Sequence, residues 1–164
     1  PKSANSEGIV MLRRYRLAAV TFALLIGTPA LGAERAKPEF MTSDDPARRD
    51  LPFSEAVRVG DLMFLSGQIG FEPATGKVVP GGIKAEARQA LTLMKDTLTR
   101  HGVPMSDVVK CTVFLADIAE WPAFNEVYGE FFKKPFPARS ALAARGLARN
   151  ARVEVECIAY APKK

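Results

Sequence analysis

The spacing of apolar residues predicts that the folded part of the chain begins with strands. Apolar and β-prone residues fill 56–59 and 62–66 on either side of Gly60-Asp61, a pattern typical of a tight hairpin. Residues 71–82 then hold two prolines and three glycines, which indicates a loop, with room for a short strand at 77–79.

Two later segments have helical spacing instead. Apolar residues recur every three or four positions from Ile83 to Leu98, and Gly102 follows as a stop signal, so we expect an amphipathic helix of about five turns. A second helix is predicted over 120–132. Its apolar face would carry Phe124, Val127, Tyr128 and Phe131.

The remaining apolar segments are short and rich in β-branched residues. Residues 108–115 indicate a buried strand, and 138–145 and 150–160 indicate two strands joined as a hairpin around 146–149. The predicted order is therefore β-β-(β)-α-β-α-β-β. This order favours a two-layer α+β domain, in which two helices cover one face of a mixed sheet.

The predicted last hairpin contains a suggestive pair of charges. A four-residue loop at 146–149 would place Ala141 opposite Glu154 and Arg139 opposite Glu156. Arg139 and Glu154 would then be diagonal neighbours on one face of the sheet. They could bind a carboxylate and handle a water molecule, but a cross-strand ion pair explains the same spacing.

The N-terminal part of the sequence is typical of an exported protein. From Met11 a basic segment precedes an eleven-residue apolar run, and small residues follow near a cleavage site between Ala30 and Ala33. The run is too short to favour a membrane anchor, which needs about 20 apolar residues. We expect a signal peptide over 11–33 and a periplasmic or secreted protein that has no membrane association after cleavage.

The sequence also predicts the boundaries of the other segments. Residues 1–10 precede the first methionine and are excluded as upstream sequence, and 34–50 are predicted to be a flexible lead-in. The domain is expected over 51–164. Translation from Met41 would instead give a cytoplasmic protein with the same domain.

Composition and charge restrict the classes of function that the chain could have. The chain has 164 residues, of which 48% are hydrophobic and 25% charged, as expected for one globular domain. The net charge of +5 is concentrated in residues 1–33, with four basic residues and one acidic; the rest has nineteen basic and seventeen acidic. The near-neutral domain argues against nucleic-acid binding.

Histidine and cysteine are scarce. One histidine, His101, and two cysteines, Cys111 and Cys157, are too few for a cysteine-rich zinc site or a disulfide scaffold, so any chemistry must rest on other groups. The two cysteines could be neighbours in the sheet. Export would permit a bond between them, but buried thiols are the favoured interpretation.

Seven ordered segments resemble the Rid family of reactive-intermediate (enamine and imine) deaminases, also called the YjgF or L-PSP family. The resemblance covers roughly 51–161. The segments are PFSEAV at 52–57, FLSGQIG at 64–70, EARQAL at 86–91, VVKCTVFLADI at 108–118, FNEVYGEFF at 124–132, FPARSAL at 136–142 and VEVECIA at 153–159.

The resemblance implies a chorismate-mutase-like α+β subunit and a homotrimer with three sites in the clefts between subunits. It implies hydrolytic deamination of 2-imino or 2-enamino acids of the 2-aminoacrylate type to a 2-keto acid and ammonia. Because an imine carbon is already electrophilic, we expect this reaction to need no metal and no cofactor. Arg139 matches the family's carboxylate-binding arginine, and Glu154 matches the glutamate that positions or activates water.

The substrate-binding residues are carried over in the same way. Ser66 and Gly67 match the cleft-lining SGQ segment, and Asn125 matches the cleft asparagine of the second helix. Two positions depart from the family pattern. Phe53 replaces a tyrosine, and Ala141 replaces the cysteine two residues after the arginine, which affects the expected substrate range and water network.

Two other functions are compatible with the same fold. A non-catalytic small-molecule-binding or holdase-like trimer is favoured by Phe53 and Ala141 but opposed by the retained Arg139. Ribonuclease activity, claimed for some relatives, is disfavoured by the near-neutral domain and the lack of a placed histidine base.

Overall fold

A computed structural model describes residues 35–43 and 46–163, and a compact unit begins at Ala36. The predicted signal peptide and the residues before it lie outside the described part. The strands are β1 (Glu39–Met41), β2 (Ala56–Val59), β3 (Leu62–Leu65), β4 (Gln68–Ile69), β5 (Val108–Leu115), β6 (Ala138–Ala143) and β7 (Val153–Tyr160). The helices are α1 (Pro46–Arg49), α2 (Gly82–Arg100) and α3 (Trp121–Phe131).

The predicted elements are largely present. The β2–β3 hairpin turns at Gly60, whose φ of 57° favours glycine, and Val59 is aligned with Leu62 across the turn. Helix α2 ends before Gly102, which has a φ of 70°. The loop at 77–79 forms only a single bridge, between Phe71 and Val78, and no strand of its own.

The domain starts earlier than the sequence predicts. Strand β1 pairs antiparallel with β2, and helix α1 follows it, so the prediction of a flexible lead-in over 34–50 is wrong for these residues. A three-residue strand is too short to show a period of two. It is held by backbone hydrogen bonds to β2, which leave no mark in the side-chain pattern.

The described strands form one mixed sheet, confirming the α+β class. The strand order is β1-β2-β3-β7-β5-β6, with β4 also paired to β7. Strands β5 and β6 are parallel and connected through α3, whereas β5 and β7 are antiparallel. The predicted β6–β7 hairpin is therefore wrong, because β5 lies between these two strands.

One face of the sheet packs on the helices to form the core. On β7 the inward positions alternate strictly with outward ones, and β5 is aligned so that its inward residues share this face. The largest fully buried side chains, which come from both helices and the central strands, are Phe124, Met63, Leu91, Met94, Leu98, Leu115, Val113, Val127, Val153 and Val155.

The two cysteines are bonded, contrary to the expectation of free thiols. Cys111 on β5 and Cys157 on β7 are directly aligned, their Cα atoms are 4.1 Å apart, and a disulfide joins them. The direct alignment follows from β5 being the antiparallel neighbour of β7. The sequence predicted both strands but could not predict this register.

A buried acidic residue ties the end of α2 to the sheet. Glu55 is 3% exposed and accepts a hydrogen bond from Arg100 at 2.7 Å, while His101 lies 2.9 Å from its other oxygen. His101 therefore holds the fold together at the helix end, consistent with the absence of a catalytic prediction for it.

Candidate active site

Arg139 lies on the edge strand β6, on the face that looks toward the helices. It is aligned with Cys111 of β5, and its side chain extends over α3. Its guanidinium carbon is 4.5 Å from the centroid of the Tyr128 ring and 5.8 Å from that of Phe124. These distances indicate cation–π contacts that fix the guanidinium.

Within the described residues, Arg139 has no acidic partner. Other arginines of the domain do have one: Arg88 pairs with Glu130 and Arg152 with Glu120, at 2.6 Å in both cases. The guanidinium of Arg139 therefore keeps its forked N–H donors available, and this geometry suits two parallel hydrogen bonds to a carboxylate.

Two buried polar atoms that have no hydrogen-bond partner among the described residues lie on the same helix. They are Oδ1 of Asn125 and the hydroxyl oxygen of Tyr128, one helical turn apart. Buried polar atoms are nearly always hydrogen-bonded, so the unpaired hydroxyl of Tyr128, whose ring contacts Arg139, favours a ligand or water site here. Burial raises the pKa of Tyr128, and the charge of Arg139 opposes that rise, so the hydroxyl stays protonated.

Ala141 completes this half of the site. It follows Arg139 by two residues on β6, faces the same side and packs against the core. Its methyl group supplies no hydrogen-bonding atom. We refer to Arg139, Asn125, Tyr128 and Ala141 as the arginine half-site.

Glu154 lies on β7, on the opposite face of the sheet, where it lines a cavity of about 330 Å³. Gly67 also lines this cavity and is in close contact with Glu154. A Cβ atom at Gly67 would lie 1.9 Å from Oε1 of Glu154. Only glycine at this position lets the carboxylate lie against the backbone.

The environment of Glu154 disfavours its charged form. Burial raises the pKa of this carboxyl, and the nearby negative charge of Glu156 on the same face raises it further. A carboxylate with a raised pKa is better suited to accept a proton from water than an ordinary surface glutamate is.

The remaining predicted residues support this second half of the site. Phe53 lines the cavity and is 54% exposed. Ser66 donates a hydrogen bond from its hydroxyl to the backbone oxygen of Ser54 at 2.7 Å, so it holds the segment that carries Phe53. We refer to Glu154, Gly67, Phe53 and Ser66 as the glutamate half-site.

The structure separates the two halves. Arg139 and Glu154 were predicted as diagonal neighbours on one face, and this is wrong: β5 lies between their strands and their side chains leave opposite faces of the sheet. Glu154 is aligned through Phe114 with Leu142, three residues beyond Arg139. The offset alone is about 10 Å along the strand.

Three functional candidates were missed by the sequence interpretation. The sequence pattern puts Tyr128 on the apolar, core-facing side of its helix. Its contact with Arg139 depends on the position of β6 in the sheet, which the pattern does not give. Arg48 and Arg149 both line the cavity beside Glu154. Arg48 falls in the segment that was expected to be a flexible lead-in, and Arg149 falls in the loop predicted at 146–149. Neither position has a sequence pattern that indicates a site.

Among residues 35–43 and 46–163, no three His, Cys, Asp or Glu side chains come together as a metal site. Nor does any helix in this part have the length and apolar character needed to cross a membrane. The arginine half-site offers a guanidinium and the polar atoms of α3, whereas the glutamate half-site offers a carboxylate on the other face of the sheet.

The sequence matches one family model, described as endoribonuclease L-PSP, over residues 44–161. Among curated proteins, it is 49% identical over 107 residues to a 2-iminobutanoate/2-iminopropanoate deaminase of Dermatophagoides farinae, covering 65% of this chain and 84% of that protein. It is 37% identical over 130 residues to Reactive Intermediate Deaminase A, chloroplastic, of Arabidopsis thaliana, covering 79% and 70%.

Solved structures share the fold. RidA from an Antarctic Psychrobacter species superposes with a TM-score of 0.69 at 34% identity, covering 74% of this chain and 98% of that one. Yeast Mmf1 gives a TM-score of 0.70 at 30% identity, covering 76% and 99%.

Proposed function

The chain belongs to the Rid family of reactive-intermediate deaminases, and from this membership we propose that it hydrolyses 2-imino acids and their 2-enamino tautomers to 2-keto acids and ammonia. It is an enzyme of the imine and enamine deaminase class. The observation that carries the proposal is the guanidinium of Arg139, stacked on Tyr128 and free of any acidic partner among the described residues.

Arg139 is proposed to bind the carboxylate that all 2-imino acids share. Two parallel N–H donors of the guanidinium fit the two carboxylate oxygens, and the Tyr128 ring prevents the side chain from swinging away. Once the carboxylate is fixed, the imine carbon attached to it has little freedom. Holding a reactant in its reactive geometry can supply a large part of an enzyme's rate enhancement.

Glu154 is proposed to activate the water. The carboxylate takes a proton from water as the water oxygen bonds to the imine carbon, and it passes that proton to the nitrogen as the C=N double bond becomes a single bond. In the resulting carbinolamine, Glu154 takes the hydroxyl proton and passes it to the nitrogen, so the C–N bond breaks, C=O forms and ammonia leaves. Glu154 is again a carboxylate, and no redox step is needed.

The two halves of the site are proposed to meet between chains. Because Arg139 and Glu154 point away from opposite faces of one sheet, a small imine cannot contact both within one subunit. A homotrimer would place the arginine half-site of one chain against the glutamate half-site of the next. The outward face of β2 and β3 supports such packing, since Val59, Leu62 and Phe64 are 38–42% exposed there.

Export to the periplasm or medium is proposed as well. The signal-like segment 11–33 supports it, and so does the disulfide between Cys111 and Cys157, because such bonds persist mainly in oxidising compartments. Cell fractionation with N-terminal sequencing tests this. A mature N-terminus at 31–34 in the periplasm is expected, and a cytoplasmic protein starting at Met41 would contradict export.

A coupled assay tests the deaminase proposal. An L-amino-acid oxidase generates 2-imino acids, semicarbazide traps them, and the loss of trapping measures hydrolysis by the added protein. We expect the parent to accelerate imine loss and Arg139→Ala to lose at least about a hundredfold in kcat/KM, as for a charge-assisted bidentate contact. The control is Arg145→Ala, an exposed arginine of the β6–β7 loop, which should retain parental activity.

The same assay can contradict the proposal. Imine loss no faster with the parent than in buffer, across several amino acids, would favour the non-catalytic binding trimer. Equal activity in the parent and the Arg139→Ala variant would remove Arg139 from the mechanism.

A further inference from the structure

The cavity beside Glu154 contains two positive charges that the proposed mechanism does not use. Arg48, from helix α1, and Arg149, from the loop between β6 and β7, both line it. The rest of its wall is mostly apolar, with Leu51, Phe53, Ile69, Phe71 and Pro73. The cavity therefore combines a carboxylate, an apolar lining and two guanidinium groups.

Both arginines are held by the same aromatic ring. The guanidinium carbon of Arg48 is 5.4 Å from the Phe71 centroid, and that of Arg149 is 5.6 Å from it. Arg48 also lies 3.5 Å from Oε1 of Gln68. Arg149 donates to the backbone oxygen of Gly76. These contacts orient the two side chains toward one space while leaving most of their N–H donors unused.

The backbone at Arg149 also favours a functional interpretation. Arg149 and Asn150 both have a φ of 57°, in the left-handed region that residues other than glycine seldom occupy. Such a conformation is strained and is often retained at ligand sites. Here it brings the Arg149 side chain back toward Phe71.

Neither guanidinium is neutralised by an acidic side chain within the described part of the chain. Ion pairs are found there for Arg88, Arg100 and Arg152, but not for Arg48 or Arg149. Two like charges placed against one ring repel each other unless an anion lies between them. A carboxylate would bring them together and could accept hydrogen bonds from both.

We propose that Arg48 and Arg149 bind a second carboxylate, at the end of the substrate side chain, and so make the enzyme selective for dicarboxylic 2-imino acids. The inference rests on the proposed function for the reaction itself. Arg139 of the neighbouring chain would hold the carboxylate next to the imine carbon, and the apolar wall would contact the intervening methylene groups. The class of substrate is then the imine of an acidic amino acid.

Kinetics on matched imines tests the selectivity. L-Glutamate oxidase supplies the dicarboxylic imine, an L-amino-acid oxidase supplies that of leucine, and semicarbazide trapping measures both. For the full chain we expect kcat/KM to favour the dicarboxylic imine by about tenfold or more. The double variant R48Q/R149Q should lose that preference through KM and hydrolyse the leucine imine within about twofold of the parent.

Two controls separate charge from folding. R145Q removes an exposed arginine of the same loop that does not line the cavity, so it should keep the preference. R149K keeps the charge and should retain part of it. If the parent hydrolysed both imines with equal kcat/KM, or if R48Q/R149Q kept the preference, the inference would be overturned while the proposed function stood.

Direct binding keeps the inference testable without turnover. If no imine is hydrolysed, the proposed function fails, and titration calorimetry with glutarate and butyrate still measures the site. Tighter binding of glutarate that is lost in R48Q/R149Q supports the carboxylate site. Glutarate affinity unchanged by the two substitutions, or binding of inorganic phosphate in place of glutarate, would overturn it.

Discussion

Arg139 and Glu154 illustrate how the surroundings of a single side chain set its chemistry. Arg139 lies over two aromatic rings, which stabilise a cation without occupying its N–H donors. Glu154 is half-buried beside the backbone of Gly67 and shares its face with Glu156, so its charged form is disfavoured. One side chain is thereby prepared to bind an anion, and the other to accept a proton.

Replacing Glu156 by glutamine should shift the pH dependence of the reaction. The pKa of Glu154 is raised first by burial and then by the charge of Glu156. Because the proposed mechanism needs Glu154 as a carboxylate, activity should fall as the pH decreases through that raised pKa. Glu156→Gln removes the like charge, so the acid limb of the kcat/KM profile should move to lower pH.

The measurement is a kcat/KM profile for the parent, Glu156→Gln and Glu154→Gln. Glu154→Gln should show no acid limb and only residual activity. An acid limb that stays in place, or moves to higher pH, in Glu156→Gln would show that another group controls it.

Replacing Gly67 by alanine should impair catalysis more than stability. The added Cβ would meet the carboxylate end of Glu154, which can rotate away, so the fold should tolerate the change. We expect kcat to fall by at least about tenfold and the melting temperature to change by no more than about 4 °C. An unchanged kcat would mean that catalysis does not depend on the position of the Glu154 carboxylate.

At the scale of the elements, the sequence predicted the individual helices and strands better than it predicted which strands are neighbours in the sheet. Helix α2, helix α3 and the β2–β3 hairpin have clear periodicity and turn signals and were found close to their predicted bounds. Strand β6 was also predicted, but its parallel pairing with β5 was not. A strand's alternation shows which side chains share a face, whereas nothing in it distinguishes an antiparallel hairpin from a parallel crossover through α3.

That one pairing error changed the site. With β6 beside β7, Arg139 and Glu154 would be neighbours; with β5 between them, they are on opposite faces. Their assignment as site residues came from the resemblance to the family and stays a prediction. The structure gives Arg139 an aromatic partner in Tyr128, and it puts Glu154 in the lining of a cavity. Arg48 and Arg149 could not have been predicted, because their shared contact is with Phe71 in a loop.

The packing of β4 against α2 predicts a sensitive position. A Cβ atom at Gly70 would lie 2.2 Å from the backbone oxygen of Glu86 and 2.5 Å from its Cα atom. A helix backbone cannot rotate away as a side chain can, so Gly70→Ala should destabilise the fold by about 1–3 kcal/mol or more. Urea unfolding of the purified protein measures this.

Gly129 provides the matched control. It lies exposed in α3, and a Cβ atom there would meet nothing within 4 Å. Gly129→Ala should leave stability unchanged or raise it by up to about 1 kcal/mol, because alanine favours the helix. Equal stability of Gly70→Ala and the parent would contradict the close packing of β4 on α2.

At the scale of the whole molecule, the proposed site is divided into two half-sites on opposite faces of one sheet. In the proposed closed ring of identical subunits, each copy would offer its arginine half-site to one neighbour and its glutamate half-site to the other. The near-neutral charge of the domain is compatible with such packing. The positive charges of Arg48 and Arg149 lie in the lining of the cavity.

Subunit complementation tests this account most directly. Arg139→Ala and Glu154→Gln are each purified alone and also co-expressed with different tags so that mixed oligomers can be isolated. Each variant alone should be nearly inactive in the coupled imine assay. An isolated mixed trimer holds two copies of one variant and one of the other, so one of its three sites joins an intact arginine to an intact glutamate. This should restore about one third of the parental activity. Mixed oligomers that remain as inactive as the single variants would contradict a site shared between chains.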